Sequence, residues 1–436
     1  MPPADTGAPA TTGAAPRTAA APRTAAAATD TPAGTAVGTA PSARRINLAL
    51  FVLGLATFAL LYATQALLPA LSADFGVTPA RAAWTVSGAT LALAVSVLPL
   101  SILSERFGRR RVMTVSVLVA VAVGLLLPLT PNMDTLIVLR VLQGAAIAGV
   151  PASAMAYLAE ESRPRALVGA VGLFVAGNSI GGMSGRVLTG WAADLWGWRT
   201  ALLTVALMAL ACALLYRLLL PAPRNFSPAP LRPRVLLATV RGHLATPLLR
   251  RLYVLGMVFM SVFGAVYTVV GYRLIDDFGL SQTLVGAVFV IYLVGTVSSA
   301  GAGRIVARLG RRGALHLAIG TTLLGLLLTL NASLGAVVAG LVLVTAGFFA
   351  GHATASGSVS GTATSGRAQA SALYQVACYV GSSAGSTLAA LAYHLVGWGG
   401  AVALCSAALC VAAGVTLLGS RAAVRETTSV RETATG

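Results

Sequence analysis

Ser101-Ile-Leu-Ser-Glu105-Arg106-Phe-Gly108-Arg109-Arg110 stands between two apolar stretches, 82–104 and 112–130. Each is near the length of about 20 residues that a helix needs to cross a bilayer core. The basic end of this segment returns as Arg308-Leu-Gly-Arg-Arg312, again between two apolar stretches, 283–304 and 313–331. Other landmarks repeat in the same order. Leu71-Ser-Ala-Asp-Phe-Gly-Val-Thr78 returns as Leu274-Ile-Asp-Asp-Phe-Gly-Leu-Ser281, and Arg165-Ala166 as Arg367-Ala368. Gly177-Asn-Ser-Ile-Gly181 returns as Gly381-Ser-Ser-Ala-Gly385, and Gly197-Trp198 as Gly397-Trp398. The chain therefore reads as a duplicated membrane unit, and duplicated bundles can rock about one central site.

Working outward gives twelve apolar stretches. The first set is 46–70, 82–104, 112–130, 135–158, 166–190 and 200–219; the second is 252–272, 283–304, 313–331, 335–357, 369–393 and 398–419. The expected fold is all-α integral membrane, with twelve transmembrane helices in two pseudo-symmetric six-helix bundles. The expected domains are a disordered cytoplasmic tail (1–43), the first bundle (44–219), a cytoplasmic linker (220–251), the second bundle (252–419) and a cytoplasmic C-terminal tail (420–436). The first tail holds two copies of Ala-Pro-Arg-Thr-Ala-Ala and no compact apolar run, so it reads as a cytoplasmic extension, not a secretory signal.

Composition agrees with a lipid environment. Of 436 residues 57% are apolar and 10% charged, against roughly 25% charged in soluble domains. The net charge of +18 comes entirely from arginine, with no lysine. With the N-terminus inside, only Arg81, Arg199 and Arg273 fall outside, and Arg140 and Arg186 fall within spans; the other arginines lie on the cytoplasmic side. The charge is thus a topology signal and not a nucleic-acid footprint. A multi-pass protein of the cell inner (plasma) membrane with both termini cytoplasmic is expected. The absence of lysine excludes a Gly-x-x-x-x-Gly-Lys loop, hence ATP-driven pumping by this chain. Cys212, Cys378, Cys405 and Cys410 lie in apolar stretches without metal-ligand spacing and read as packing residues. No catalytic triad, metal site or cofactor motif is visible, so an enzyme is not expected.

The opening segment resembles the Gly-x-x-x-Asp-Arg-x-Gly-Arg-Arg signature of the major facilitator superfamily, with Ser101 in place of the glycine and Glu105 in place of the aspartate. Arg140-Val-Leu-Gln143-Gly144 is similar to the Arg-x-x-Gln-Gly signature of its drug-exporting branches. Gly177, Gly181 and Gly182, with Gly172 and Gly185, look like the antiporter signature Gly-x-x-x-Gly-Pro-x-x-Gly-Gly, with Asn178 where proline should stand. The resemblance covers about 46–419 and implies a twelve-helix drug:proton antiporter. It implies that Glu105, with Ser101, Arg106, Gly108, Arg109 and Arg110, forms a gating loop in which the carboxylate latches to a helix end of the opposite half. A helix N-terminus attracts a carboxylate, which gives the latch a physical basis. The resemblance also places Arg140 in the coupling or substrate cavity; satisfaction by backbone carbonyls is the other reading of that residue. Arg186, near the outer end of the span 166–190, reads as snorkelling to the interface.

Tyr62, Gln65, Gln143, Asn178, Tyr267, Tyr292, His352, Tyr374 and Gln375 are the polar or aromatic residues on spans expected to line a cavity. Few polar anchors in an apolar cavity suit an amphiphilic small molecule better than a sugar. None of the twelve stretches contains Asp or Glu, so proton coupling comes from the resemblance alone. The expected function is export of an antibiotic-like molecule, chloramphenicol being one such cargo, in exchange for protons; the alternative is uptake or facilitated diffusion of a small metabolite. The expected partners are that small molecule, protons and the lipid bilayer.

Overall fold

The computed structural model describes residues 43–162, 164–224, 233–363 and 366–434, and among these it contains helices and turns but no strand. The tail expected over 1–43 lies, except for Ala43, outside the described residues. In chain order the helices are α1 (Ala43–Tyr62), α2 (Leu68–Phe75), α3 (Pro79–Phe107), α4 (Arg109–Leu126), α5 (Met133–Ile147), α6 (Pro151–Glu161) and α7 (Pro164–Leu219). Then follow α8 (Pro233–Ala245), α9 (Pro247–Asp276), α10 (Gln282–Ala287), α11 (Tyr292–Leu328), α12 (Leu334–Thr362), α13 (Arg367–Val396) and α14 (Trp398–Ala434).

Among the described residues nine helical stretches are long and apolar enough to cross a bilayer. Two of them, Gly169–Leu219 and Gln282–Leu328, pass through Gly197 (φ 80°) and Gly310 (φ 70°), each in a gap expected between spans. At both points a left-handed residue interrupts the helix, which glycine adopts without a Cβ clash. These are repeat landmarks. Gly76 (φ 61°) and Gly279 (φ 63°), Gly108 (φ 100°) and Gly310, and Gly197 and Gly397 (φ 74°) form three such pairs. The sequence echo is therefore an echo of places where the backbone must turn.

Local signals set the other helix ends. The Thr78 hydroxyl accepts the Arg81 N–H (3.3 Å) and the Asn132 side chain accepts the Thr135 N–H (2.9 Å), capping α3 and α5. Two expected spans are broken. The first ends as α1 at Tyr62 and resumes through a 3-10 turn, Gln65–Leu67, into α2; the fourth breaks between α5 and α6. Pro69 and Pro151 follow these breaks at the starts of α2 and α6, where a missing N–H and a ring against the preceding turn oppose a continuous helix.

Packing reproduces the repeat. α7 lies along α1 so closely that a Cβ at Gly177 would overlap the Phe51 carbonyl and one at Gly181 the Leu55 carbonyl. Gly381 and Gly385 of α13 approach Met257 and Ser261 of α9 in the same way. Gly185, not Gly182, continues the α1-facing row, with its Cβ position 2.8 Å from Ala59. Around each half the outward side chains are apolar, with Val95, Leu129, Leu218, Val297 and Leu395 all exposed, as lipid contact requires. The segment expected as a linker contains α8, whose His243 Nε2 lies 3.1 Å from the Gly366 carbonyl. At the other end α14 continues to Ala434, past the boundary expected at 419.

Candidate functional site

The up-and-down course of the helices gathers the Arg-rich ends, with Arg44, Arg109, Arg250, Arg311 and Arg367, on one face. Asp74, Asp194 and Asp276 lie at the opposite face. Hydrogen bonds joining the two halves cluster toward that opposite face. Tyr272 of α9 donates to the Leu68 carbonyl (2.9 Å) and pairs with the Ser72 hydroxyl (2.6 Å). Gln282 donates to the Ala66 carbonyl, and Ser383 of α13 to the Ser87 carbonyl of α3 (2.9 Å). The Thr283 hydroxyl donates to Asp194 Oδ2 (2.7 Å). Gly190 of α7 meets Gly286 of α10 backbone to backbone: a Cβ on Gly190 would sit 2.7 Å from the Gly286 Cα. The halves are closed at the face opposite the arginines.

Just inside this closure lies Arg186, 3% exposed. Its Nε donates to Gln65 Oε1 (2.8 Å) and its Nη1 to the Gly182 carbonyl (2.6 Å). Its guanidinium carbon lies 4.1 Å from the Tyr62 ring centroid, 4.9 Å from Phe289 and 5.0 Å from Tyr292. Tyr62 and Gln65 come from the broken first span; Phe289 and Tyr292 come from the other half. Gly182 makes room here, since a Cβ on it would lie 3.2 Å from Arg186 Nη1. From Gln65 the polar contacts run on to the Thr268 hydroxyl (3.4 Å) and from there to Ser386 (2.9 Å).

The snorkelling reading of Arg186 is overturned, and the reason is a boundary. The helix does not stop near 190 but runs to the bend at Gly197, leaving Arg186 about 15 Å inside its end at 1.5 Å per residue. That is half of a bilayer core of about 30 Å. Exposed Trp191 and Trp196 carry the signal that marks the interface beyond 190. An arginine at such depth costs about 2.5–3.5 kcal/mol on insertion scales. Desolvated cation–π contacts of about 2 kcal/mol offset part of this.

Arg140 is placed elsewhere. Fully buried in the first half, it donates to the carbonyls of Thr85 (2.8 Å) and Leu60 (2.7 Å), to the Leu61 carbonyl and to Gln143 Oε1. Gln143 in turn donates to the Ala120 carbonyl (2.9 Å). Leu60 and Leu61 belong to the last turn of α1, whose carbonyls lack intrahelical partners where the helix stops. Arg140 thus closes the broken end that presents Tyr62 and Gln65. Asn178 sits in the α1–α7 seam with its Oδ1 buried against Gly54 and without a hydrogen bond.

In the second half Tyr267 is buried and pairs with the Thr345 hydroxyl (2.6 Å). Rings continue from Tyr292 and Tyr267 through Phe263 and Phe348 to His352 and Tyr374, with the Tyr374 hydroxyl 3.0 Å from His352 Nδ1. Gln375 is exposed on α13. Of the residues named from sequence, Tyr62, Gln65, Tyr267, Tyr292, His352 and Tyr374 thus share one aromatic region, whereas Arg140, Gln143 and Asn178 belong to the packing of the first half. In the gating loop, Arg109 donates to Glu160 (3.0 Å) and to the Ser104 hydroxyl (2.8 Å), and the Ser101 hydroxyl to the Leu98 carbonyl (2.8 Å). Glu105 forms no ion pair with the opposite half among the described residues.

A carboxylate at a helix N-terminus does join the halves, but at the other face. The Thr283 hydroxyl holds the Asp194 carboxyl below the usual carboxylate range; the Ser281 hydroxyl and the N–H groups of Thr283 and Gln282 add to this against slight desolvation. A lowered pKa in the closed state means that the ionised form favours closure. That contribution is complete above the free value of about 3.9 and fades as pH falls through the closed-state value. Asp194→Asn should therefore raise opposite-face opening about twofold to fivefold at pH 7, the scale of an exposed polar pair. The reporter is maleimide labelling of Ala66→Cys, buried beneath the closure, with the four native cysteines replaced by alanine. Divided by the rate of a free thiol at the same pH, which removes the loss of thiolate as pH falls, the parent's labelling should be constant from pH 8 to 5; an unchanged rate in Asp194→Asn at pH 7 would remove the latch.

Residues 48–272, more than half of the chain, match the family model described as Major Facilitator Superfamily. The chain is 40% identical over 373 residues to the inner membrane transport protein YnfM of Escherichia coli (strain K12), covering 85% of this chain and 89% of that protein. It is 36% identical to the uncharacterized MFS-type transporter YybF of Bacillus subtilis (strain 168), covering 85% and 92%. Its fold is similar to that of a bacterial homologue of the human lysosomal transporter Spinster, in an inward-facing and occupied conformation. That match has a TM-score of 0.71 at 15% identity and covers 88% of this chain and 98% of the other.

Proposed function

Because the chain belongs to the Major Facilitator Superfamily, and is a multi-pass membrane transporter of that type, we propose that it exports an amphiphilic, antibiotic-like small molecule by alternating access. The observation that carries this reading is the cluster of rings and polar groups around Arg186. It draws on both halves and lies directly beneath contacts that a rocking motion would break. A site shared by two bodies that separate at one face is what alternating access needs. The Arg-rich face is cytoplasmic in this proposal, with both termini on that side and the inner membrane as the location. Export as the direction rests on the Arg140-Val-Leu-Gln143-Gly144 and Gly177–Gly185 signatures. The proton gradient is the proposed driving force. Glu105 and its loop are assigned to closing the cytoplasmic side in the other conformation, a step for which the lack of a Glu105 ion pair with the opposite half among the described residues leaves room.

In a host stripped of its own exporters, cells expressing the chain should accumulate several-fold less of at least one amphiphilic antibiotic, and a protonophore should restore accumulation. A broad panel, neutral compounds included, with no difference from cells carrying an empty vector would overturn export and leave uptake of a metabolite as the reading to pursue.

A further inference from the structure

The chain buries three arginines among its described residues, and they are not treated alike. Arg140 spends its guanidinium on three backbone carbonyls and Gln143, and Arg273 pairs with Asp277 at 3.2 Å while donating to the Thr329 and Asn331 carbonyls. Arg186, 3% exposed, bonds through Nε and Nη1 only. Its Nη2 has no hydrogen-bond partner among the described residues. Nor is that atom among the buried polar atoms sealed from open space. No carboxylate pairs with Arg186, because the ion pairs of the described residues all lie near the two faces. A full positive charge with one open edge is thus held among the rings of Tyr62, Phe289 and Tyr292.

We infer that Arg186 is the counter-charge for the substrate, which is an aromatic monoanion: a carboxylate or comparable acid group on Nη2, with a flat ring against the surrounding aromatic walls. This rests on the transport site proposed above and adds the charge of its occupant. One fixed cation balances one negative charge, and a planar guanidinium edge matches a carboxylate. A cationic substrate would meet Arg186 with no acidic group to offset it. A neutral oxygen could accept from Nη2 but without the charge-assisted strength of a carboxylate, and a wholly apolar occupant would leave the Nη2 donors unpaired when it displaced water.

The test is equilibrium binding to the purified full chain in detergent, with 2-naphthoate and its uncharged counterpart 2-naphthamide as probes. The parent protein should bind 2-naphthoate saturably and 2-naphthamide at least tenfold more weakly. Arg186→Gln should weaken 2-naphthoate binding at least tenfold and bring the two probes close to parity, with Arg186→Lys in between. Equal binding of the two probes by the parent overturns the inference, as does no saturable binding of 2-naphthoate or full binding by a folded Arg186→Gln. The comparison on the parent stands even where a variant does not fold. Direction and driving force do not enter this measurement. Parity of the probes therefore sinks the anion site and leaves export standing, whereas unchanged antibiotic accumulation in cells sinks export and leaves the discrimination between probes intact.

Discussion

Arg140→Ala should lower the thermal midpoint of the purified protein by about 10 °C or more and sharply reduce the yield of folded chain, so that transport is lost together with abundance. The guanidinium is fully buried and supplies donors to the carbonyls of Thr85, Leu60 and Leu61 and to Gln143. Truncation takes their donor from the Leu61 carbonyl and Gln143 Oε1, in a region walled by apolar side chains, at about 1–3 kcal/mol for each unsatisfied group, and removes a second donor from the Thr85 carbonyl inside α3 and from the Leu60 carbonyl, which also accepts the Ala63 N–H. Two such losses, with the cavity that the truncated side chain leaves, are a large share of the stability of an ordinary fold, about 5–15 kcal/mol, and each kcal/mol is worth roughly 2–4 °C in a chain of a few hundred residues. Arg140→Lys should recover only part of the loss, because one ammonium cannot reach carbonyls on two helices and the Gln143 side chain together. Thermal denaturation and size-exclusion profiles of the three proteins decide the matter. A variant as heat-stable as its parent, inactive for transport alone, would return Arg140 to the cavity that its signature implies.

The duplicated helical architecture could be read from the letters because several of the repeated landmarks are glycines at positive φ, where few other residues serve, and others are glycines that let two helices touch. Gly76 and Gly279, Gly108 and Gly310, and Gly197 and Gly397 each leave the same mark in both halves. Breaks inside spans were harder to read. Hydropathy runs smoothly through Tyr62–Leu68 and Ile147–Pro151, and only the prolines beyond them hint that the helix stops. The same smoothness placed Arg186 too near the surface, although the tryptophans after it carried the correction. Tyr62, Gln65, Tyr267, Tyr292 and His352 were identifiable as rare polar groups on apolar helices. The contacts that close one face were not, because Asp194–Thr283 and Gln282–Ala66 join segments far apart in the chain whose pairing depends on how the halves meet. The resemblance put a carboxylate at a helix N-terminus at Glu105, on the arginine-rich face; the contact of that kind between Asp194 and Thr283 lies at the opposite face, where no motif pointed to it.

Gly286→Trp should abolish transport while leaving both halves folded. Gly190 and Gly286 take no part in the glycine rows that pack α7 on α1 or α13 on α9; they meet only where the two halves touch. A Cβ on Gly286 would lie 2.9 Å from the Gly190 Cα and 3.0 Å from the Arg186 carbonyl, both backbone atoms that cannot swing aside. Even alanine overpacks this contact, at about 1–3 kcal/mol, which shifts the balance between closed and open faces by roughly 5- to 150-fold. An indole holds the faces apart outright, so the carrier cannot complete its cycle and turnover should fall more than 100-fold, well beyond the alanine effect. Labelling of Ala66→Cys by an impermeant maleimide should rise in the order parent, Gly286→Ala, Gly286→Trp, with thermal midpoints nearly constant. Such a rise without loss of stability separates a wedge between two intact bodies from damage within one. Transport at the parental rate in Gly286→Trp, or labelling that stays low, would mean that the Gly190–Gly286 contact is not broken during the cycle. The two halves would then have to exchange access by some motion other than opening at this face.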